Sequence, residues 1–246
     1  MSGAMIYQET LRILRGLNLP ETAETDVIAA LEVARPNSPL DVAYWATLEA
    51  KLERDESIWR AAAVFFSFAA ANLADDVSDG DCHYLAPAQA PGVQFILQNL
   101  VFYCLTKTSI QPGTLRSIAQ ELIEMGAGQQ IEVSTESWNL ERAKIVAETI
   151  AGRQYAAYLQ ILWGETKFAD QARDWGQKLG NAAQISIDLQ SNDARLLSMP
   201  PEDIRAILRW ALDEIEEFKT SPIEMLSSLW QNLAQPMIDW LEQSAA

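Results

Sequence analysis

The segment AAAVFFSFAAANLA, Ala61–Ala74, is almost entirely apolar and then runs directly into Asp75-Asp76-Val77-Ser78-Asp79. A helix with apolar residues on every side belongs in the middle of a bundle, because no orientation gives it a polar face for water. Asp75 and Asp79 are one turn apart and share a face, with Asp76 beside them. Carboxylates crowded at a helix C-terminus repel one another and also meet the negative end of the macrodipole. Divalent cations relieve both problems, and oxygen-only ligands favour Mg²⁺, which completes its shell with waters and phosphate oxygens. The competing reading is a helix end whose aspartates cap the next segment or face water.

Helical periodicity dominates the rest of the chain, and no alternating β-branched run is long enough to insist on a sheet. The pattern predicts helices over Ala4–Arg15, Glu21–Ala34, Leu40–Arg54 and Ser57–Leu73, with Asp75–Asp79 closing the fourth. Gly80–Pro91 reads as a loop. Helices resume over Val93–Lys107, Thr114–Ile131, Asn139–Trp163, Ala169–Leu189, Pro201–Lys219 and Ser221–Gln243. Pro36–Pro39, Pro112-Gly113, Ser134–Ser137 and Gly164 separate them. The expectation is an all-α, single-domain bundle of about ten helices around a central cavity, covering residues 1–246.

Charge and composition narrow the function. Eighteen Lys and Arg against 34 Asp and Glu leave a net charge of −16, so no basic surplus exists to displace counterions from nucleic acid. A single histidine, His83, speaks against a His-based zinc site or a Ser-His-Asp triad. Cys82 and Cys104 are too few for a disulfide framework, which points to a reducing, cytoplasmic setting. The apolar run Ala61–Ala74 is too short to span a bilayer, so no membrane span is expected.

The DDxxD pattern after an apolar helix resembles the first aspartate-rich motif of trans-isoprenyl diphosphate synthases and class I terpene synthases. Further segments are similar in the same order. Gly128-Gln129-Gln130-Ile131-Glu132 resembles the family's GQxxD, Gly152-Arg153-Gln154 falls where a Lys-Thr pair is usual, and Leu179–Asp188 resembles the LGxxFQIxDD segment of the second motif. The similarity covers residues 40–220. It implies an isoprenoid-synthase-type bundle that ionises an allylic prenyl diphosphate with the help of Mg²⁺, usually as a homodimer.

Carried onto this sequence, the resemblance makes Asp75, Asp76 and Asp79 the catalytic metal ligands of the first motif. The second motif is eroded: Ile187 and Ser191 stand at two aspartate positions, leaving Asp188, with Asn192 and Asp193 following at once as substitute oxygen ligands. Arg153 and Arg195 are candidates by position for supporting the diphosphate, although each equally suits a surface salt bridge. Val64, Phe68 and Ala71, at one-turn intervals below Asp75, together with Gln129 and Gln184, are expected to line the prenyl pocket. Phe68 as floor would suit a C15 or longer chain. The basic residues that hold isopentenyl diphosphate in chain-elongating members are missing, and Cys82-His83-Tyr84 occupies the region of their arginine pair. The first expectation is therefore transfer of the prenyl group to a non-isopentenyl acceptor, as in farnesyl-transferring enzymes of the moenomycin type, or its cyclisation. Alternatives are a conventional polyprenyl diphosphate synthase and a non-catalytic regulatory subunit.

Overall fold

The computed structural model describes residues 3–134 and 137–244. Within the breaker cluster Ser134–Ser137, Thr135 and Glu136 lie outside the described residues. Among those described, every regular element is helical and none is a strand. The chain divides into two compact units, one running to Gln111 and including Ile161–Glu165, the other comprising Pro112–Gln160 and everything after Thr166.

The first unit is built around α4 (Arg54–Asp79), which contacts α1 (Gly3–Arg15), α2 (Glu21–Ala34), α3 (Leu40–Glu49) and α5 (Ala90–Leu105). Its run from Ser57 to Ala70 is buried apart from Trp59 and Phe68. Phe65 meets the Tyr7 ring edge-on, with centroids 5.8 Å apart, as ordinary core packing. The predicted boundary between the third and fourth helices is displaced. The third helix stops at Glu49, because Lys51 turns the chain through a left-handed conformation (φ 59°), and α4 starts at Arg54.

That longer helix corrects the membrane reading. At 26 residues α4 extends about 39 Å, and by length and composition alone it is long and apolar enough to cross a bilayer. However, 72% of its most apolar window is buried inside the protein, so the greasy surface is already covered.

One charged side chain inside this unit was not legible beforehand. Arg60 is fully buried. It donates through Nη1 to the carbonyls of Ile161 (2.9 Å) and Gly164 (2.8 Å) and through Nη2 to Glu56 (2.6 Å) and Ser109 (3.1 Å). The guanidinium therefore caps the carbonyl end of the helix that finishes at Trp163, and a complete set of acceptors is what makes a buried charge tolerable. Trp163 adds a hydrogen bond from Nε1 to the Ala46 carbonyl at 2.8 Å.

The second unit centres on α9 (Ala169–Ser191). Around it lie α6 (Pro112–Val133), α7 (Leu140–Ala147), α11 (Pro201–Ile215) and α12 (Glu224–Gln243). The single helix predicted over Asn139–Trp163 is interrupted by a π-helical turn at Glu148–Gly152 before continuing as α8 (Arg153–Trp163). One helical turn, α10 (Ala194–Leu197), lies in a stretch the periodicity left unassigned, and the end of the predicted helix over Pro201–Lys219 tightens into a 3₁₀ turn at Glu216–Phe218.

Close backbone approach explains two glycines of the recognised segments. A Cβ on Gly128 would lie 2.6 Å from the Thr149 carbonyl oxygen, and one on Gly180 would lie 2.1 Å from that of Ala151. The π turn is thus pressed from α6 and from α9 at a spacing no larger residue permits. Gly180→Ala is expected to cost about 3 kcal/mol, at the upper end of overpacking effects because the obstruction is backbone. Gly126→Ala, where a Cβ meets nothing within 4 Å on an exposed helix face, should stabilise by about 0.5–1 kcal/mol. Urea unfolding of both variants followed by circular dichroism measures the contrast.

Candidate functional site

The first unit carries the aspartate cluster on the last turn of α4. The helix continues through Asp79 because Gly80 takes a left-handed conformation (φ 80°) and its N–H closes on the Asp76 carbonyl. The N–H groups of Asp81 (2.8 Å) and Cys82 (3.0 Å) point to the same carbonyl oxygen. Asp75 and Asp79 are exposed, as their shared face requires, and Asp76 is half-buried. Its Oδ2 accepts from Asn72 Nδ2 at 3.0 Å and from the Tyr84 hydroxyl at 2.7 Å. Below the cluster, Val64 and Ala70 are buried, while Phe68 and Ala71 are half-buried. His83 is exposed in the loop after the helix.

Among the described residues, no three His, Cys, Asp or Glu side chains converge closely enough to hold a metal ion unaided. That is compatible with Mg²⁺, which is commonly bound through one or two carboxylates plus phosphate oxygens and water. The donor set fits: oxygen ligands alone, two of them open to solvent, at a helix end whose dipole already favours a cation.

The second unit carries the residues around Asp188. Burial raises the Asp188 carboxyl to about 7, the negative charge of Asp193 adds to the rise, and a hydrogen bond from Gln184 (2.9 Å) opposes it. Gln129 is half-buried and Ile187 exposed. Asn192 ends α9 in a left-handed conformation (φ 56°), its N–H directed at the carbonyls of Asp188 and Leu189. It therefore has a clear structural duty as a helix cap. Asp193 caps α10, accepting from the backbone N–H of Arg195 (2.8 Å) and Leu196 (3.2 Å).

Both arginines assigned to the diphosphate are ion-paired. Arg195 contacts Glu132 (2.5 Å) and Asp193 (3.0 Å) and lies over the Trp138 ring. Arg153 contacts Glu121 (3.1 Å) and Glu124 (3.0 Å), while Arg173 meets the other Glu121 oxygen at 2.5 Å. Glu121 is fully buried between the two guanidinium groups. Beside Arg153 lies an open pocket of about 560 Å³ whose walls also carry Glu148, Asp170, Asp174 and Glu214. Sequence reasoning missed Glu121, because its partners are 32 and 52 residues away. It also missed Tyr84 as a partner of Asp76; the tyrosine's place five residues after Asp79 was the only signal.

Comparison with solved structures places this fold. A geranyltransferase from Legionella pneumophila superposes with a TM-score of 0.71 at 17% identity, covering 96% of this chain and 95% of that one. A geranyltranstransferase from Thermotoga maritima gives 0.70 at 16%, covering 96% and 99%. A deletion mutant of the mint heterotetrameric geranyl pyrophosphate synthase gives 0.67 at 18%, covering 93% and 98%. No family model and no curated protein sequence matches the chain. At these identities the likeness establishes the fold: this chain has the all-α bundle of the isoprenyl synthases.

The Asp188 environment has a measurable consequence in the metal-free protein. Its folded pKa lies above the unfolded value, so its contribution to stability is greatest below about pH 4 and declines as pH rises to 7. Asp188→Asn removes that titration. Between pH 5 and pH 8, in the presence of a chelator, wild type should lose about 2–3 kcal/mol more stability than the variant. Denaturant unfolding across that pH range measures the difference.

Proposed function

We propose that this chain is a Mg²⁺-dependent prenyltransferase that ionises an allylic prenyl diphosphate and extends it with isopentenyl diphosphate. The observation that carries the reading is the pair of exposed aspartates, Asp75 and Asp79, with Asp76 between them at the end of a buried apolar helix in this fold. The three similar structures, two named geranyl- or geranyltranstransferase and one geranyl pyrophosphate synthase, favour chain elongation over the non-isopentenyl acceptor expected from the sequence. Asp75, Asp76 and Asp79 would hold the metal in the first unit, and Asp188 is the oxygen ligand the second unit offers. Bound Mg²⁺ supplies Lewis-acid withdrawal of charge from the leaving diphosphate. Val64, Phe68 and Ala71 would form a dry wall beside the hydrocarbon chain, since water quenches an allylic cation.

A second reading keeps the non-isopentenyl acceptor, and one observation favours it. Arg153 and Arg195 are already neutralised by Glu121, Glu124, Glu132 and Asp193, so neither offers an unspent cation to a second diphosphate.

We also propose a homodimer through α5. Phe95 is 69% exposed on this helix, and Asn99, Phe102 and Tyr103 follow along the same face. An isologous contact between two copies would cover it. Phe95→Asp should convert a dimer to monomers in size-exclusion chromatography with light scattering, with the helical circular dichroism spectrum retained.

The activity is tested with Mg²⁺, geranyl or farnesyl diphosphate and labelled isopentenyl diphosphate. Label is expected in a longer allylic product, with pyrophosphate released, and Asp76→Asn should lower kcat by about 100-fold or more. Pyrophosphate release without incorporation of label selects the second reading. No release with any chain length identifies a non-catalytic subunit.

A further inference from the structure

We propose that Tyr84 is a positioning residue for Asp76, fixing the middle carboxylate of the cluster so that its other oxygen is presented to the metal. This inference rests on the metal role of the aspartates. The chain reverses at Gly80, and the loop that follows folds back onto the helix it has just left. Three successive N–H groups, from Gly80, Asp81 and Cys82, converge on the Asp76 main-chain carbonyl. That convergence brings the half-buried Tyr84 within reach of the Asp76 side chain, and Leu85, 6% exposed, anchors the loop immediately afterwards.

The two side-chain donors fall on one oxygen. Tyr84 Oη at 2.7 Å and Asn72 Nδ2 at 3.0 Å both donate to Oδ2, which leaves Oδ1 as the ligand oxygen. Asn72 approaches from one turn earlier on α4 and Tyr84 from the loop, so the carboxylate is held from two separate pieces of backbone. Asp75 and Asp79, by contrast, are solvent-exposed. A phenol also suits the position electrostatically. It supplies a donor without a positive charge, so it steadies the carboxylate without competing with a cation for it. Hydrogen-bond partners that orient a metal-binding carboxylate typically change metal affinity by about 10–100-fold when removed.

The test uses Mn²⁺ as the probe metal and inorganic pyrophosphate as the probe anion, with binding followed by electron paramagnetic resonance and by calorimetry on the full chain. Tyr84→Phe keeps the ring and deletes only the donor. It should weaken Mn²⁺ binding by about 10-fold while leaving the thermal midpoint in chelator unchanged. Asn72→Ala, which removes the other donor to Oδ2, should weaken binding to a smaller degree. Mn²⁺ affinity equal to wild type in both folded variants overturns the positioning role and leaves the metal site standing. If wild type itself binds no Mn²⁺ in the presence of pyrophosphate, the metal reading fails, and the role of Tyr84 falls with it.

Discussion

Burying a helix that has no polar face commits the surrounding chain. Ala61, Ala62, Ala63, Phe65 and Phe66 of α4 are all fully enclosed, and the enclosure requires α1, α2, α3 and α5 to cover the helix. The same helix then has to emerge, and it emerges on carboxylates. Its last turn combines mutual repulsion with an unfavourable dipole, so the fold spends some of the stability gained by burying the helix on an arrangement that a bound cation would relieve. The structure mitigates the conflict locally. It takes Asp76 out of full solvent exposure and supplies donors from Asn72 and Tyr84, while Asp75 and Asp79 lie on the exposed face of the turn.

The second unit solves a different problem, that of bringing helices to backbone contact. Gly128 on α6 and Gly180 on α9 press on the turn Glu148–Gly152. A π turn carries one extra residue relative to an α turn, and such bulges recur at functional sites. Here the bulge sits between the segment that resembles GQxxD and the segment that resembles LGxxFQIxDD, so the two glycines have a steric explanation independent of any family.

The parts legible in the sequence were those governed by short-range periodicity. The apolar run, the prolines and glycines between helices and the one-turn spacing of Asp75 and Asp79 depend on neighbours within a few residues, and the helices they imply are present with boundary shifts. The π turn was hidden, because the hydrophobic pattern of Asn139–Trp163 reads straight through it. Arg60 was hidden too: the periodicity places it inside the helix over Ser57–Leu73 but reports nothing of its burial, because the carbonyls it meets, at Ile161 and Gly164, lie about 100 positions later. The same limitation explains Arg153 and Arg195. Their positions relative to the recognised segments were readable, but Glu121, Glu124 and Glu132, which bind them, lie on α6, whose approach no local pattern reports; Asp193, two residues before Arg195, is the local partner.

Those ion pairs shape how this chain would treat an anionic substrate. With a formal charge of −16, the field around the protein repels a free diphosphate, and the arginines nearest the recognised motifs already have carboxylate partners. Recruiting Arg153 would require separating it from Glu121 and Glu124; the buried Glu121 would then keep only Arg173, which is itself 56% exposed. An uncompensated carboxylate at that depth is costly. A divalent cation would avoid the exchange, because it brings its own positive charge to the exposed carboxylates at the end of α4 and takes none from the Arg153 and Arg195 pairs. Under the proposed function, affinity for a diphosphate would reside in the metal rather than in the basic side chains, and the hold on that metal would depend on how firmly the last turn of α4 is set.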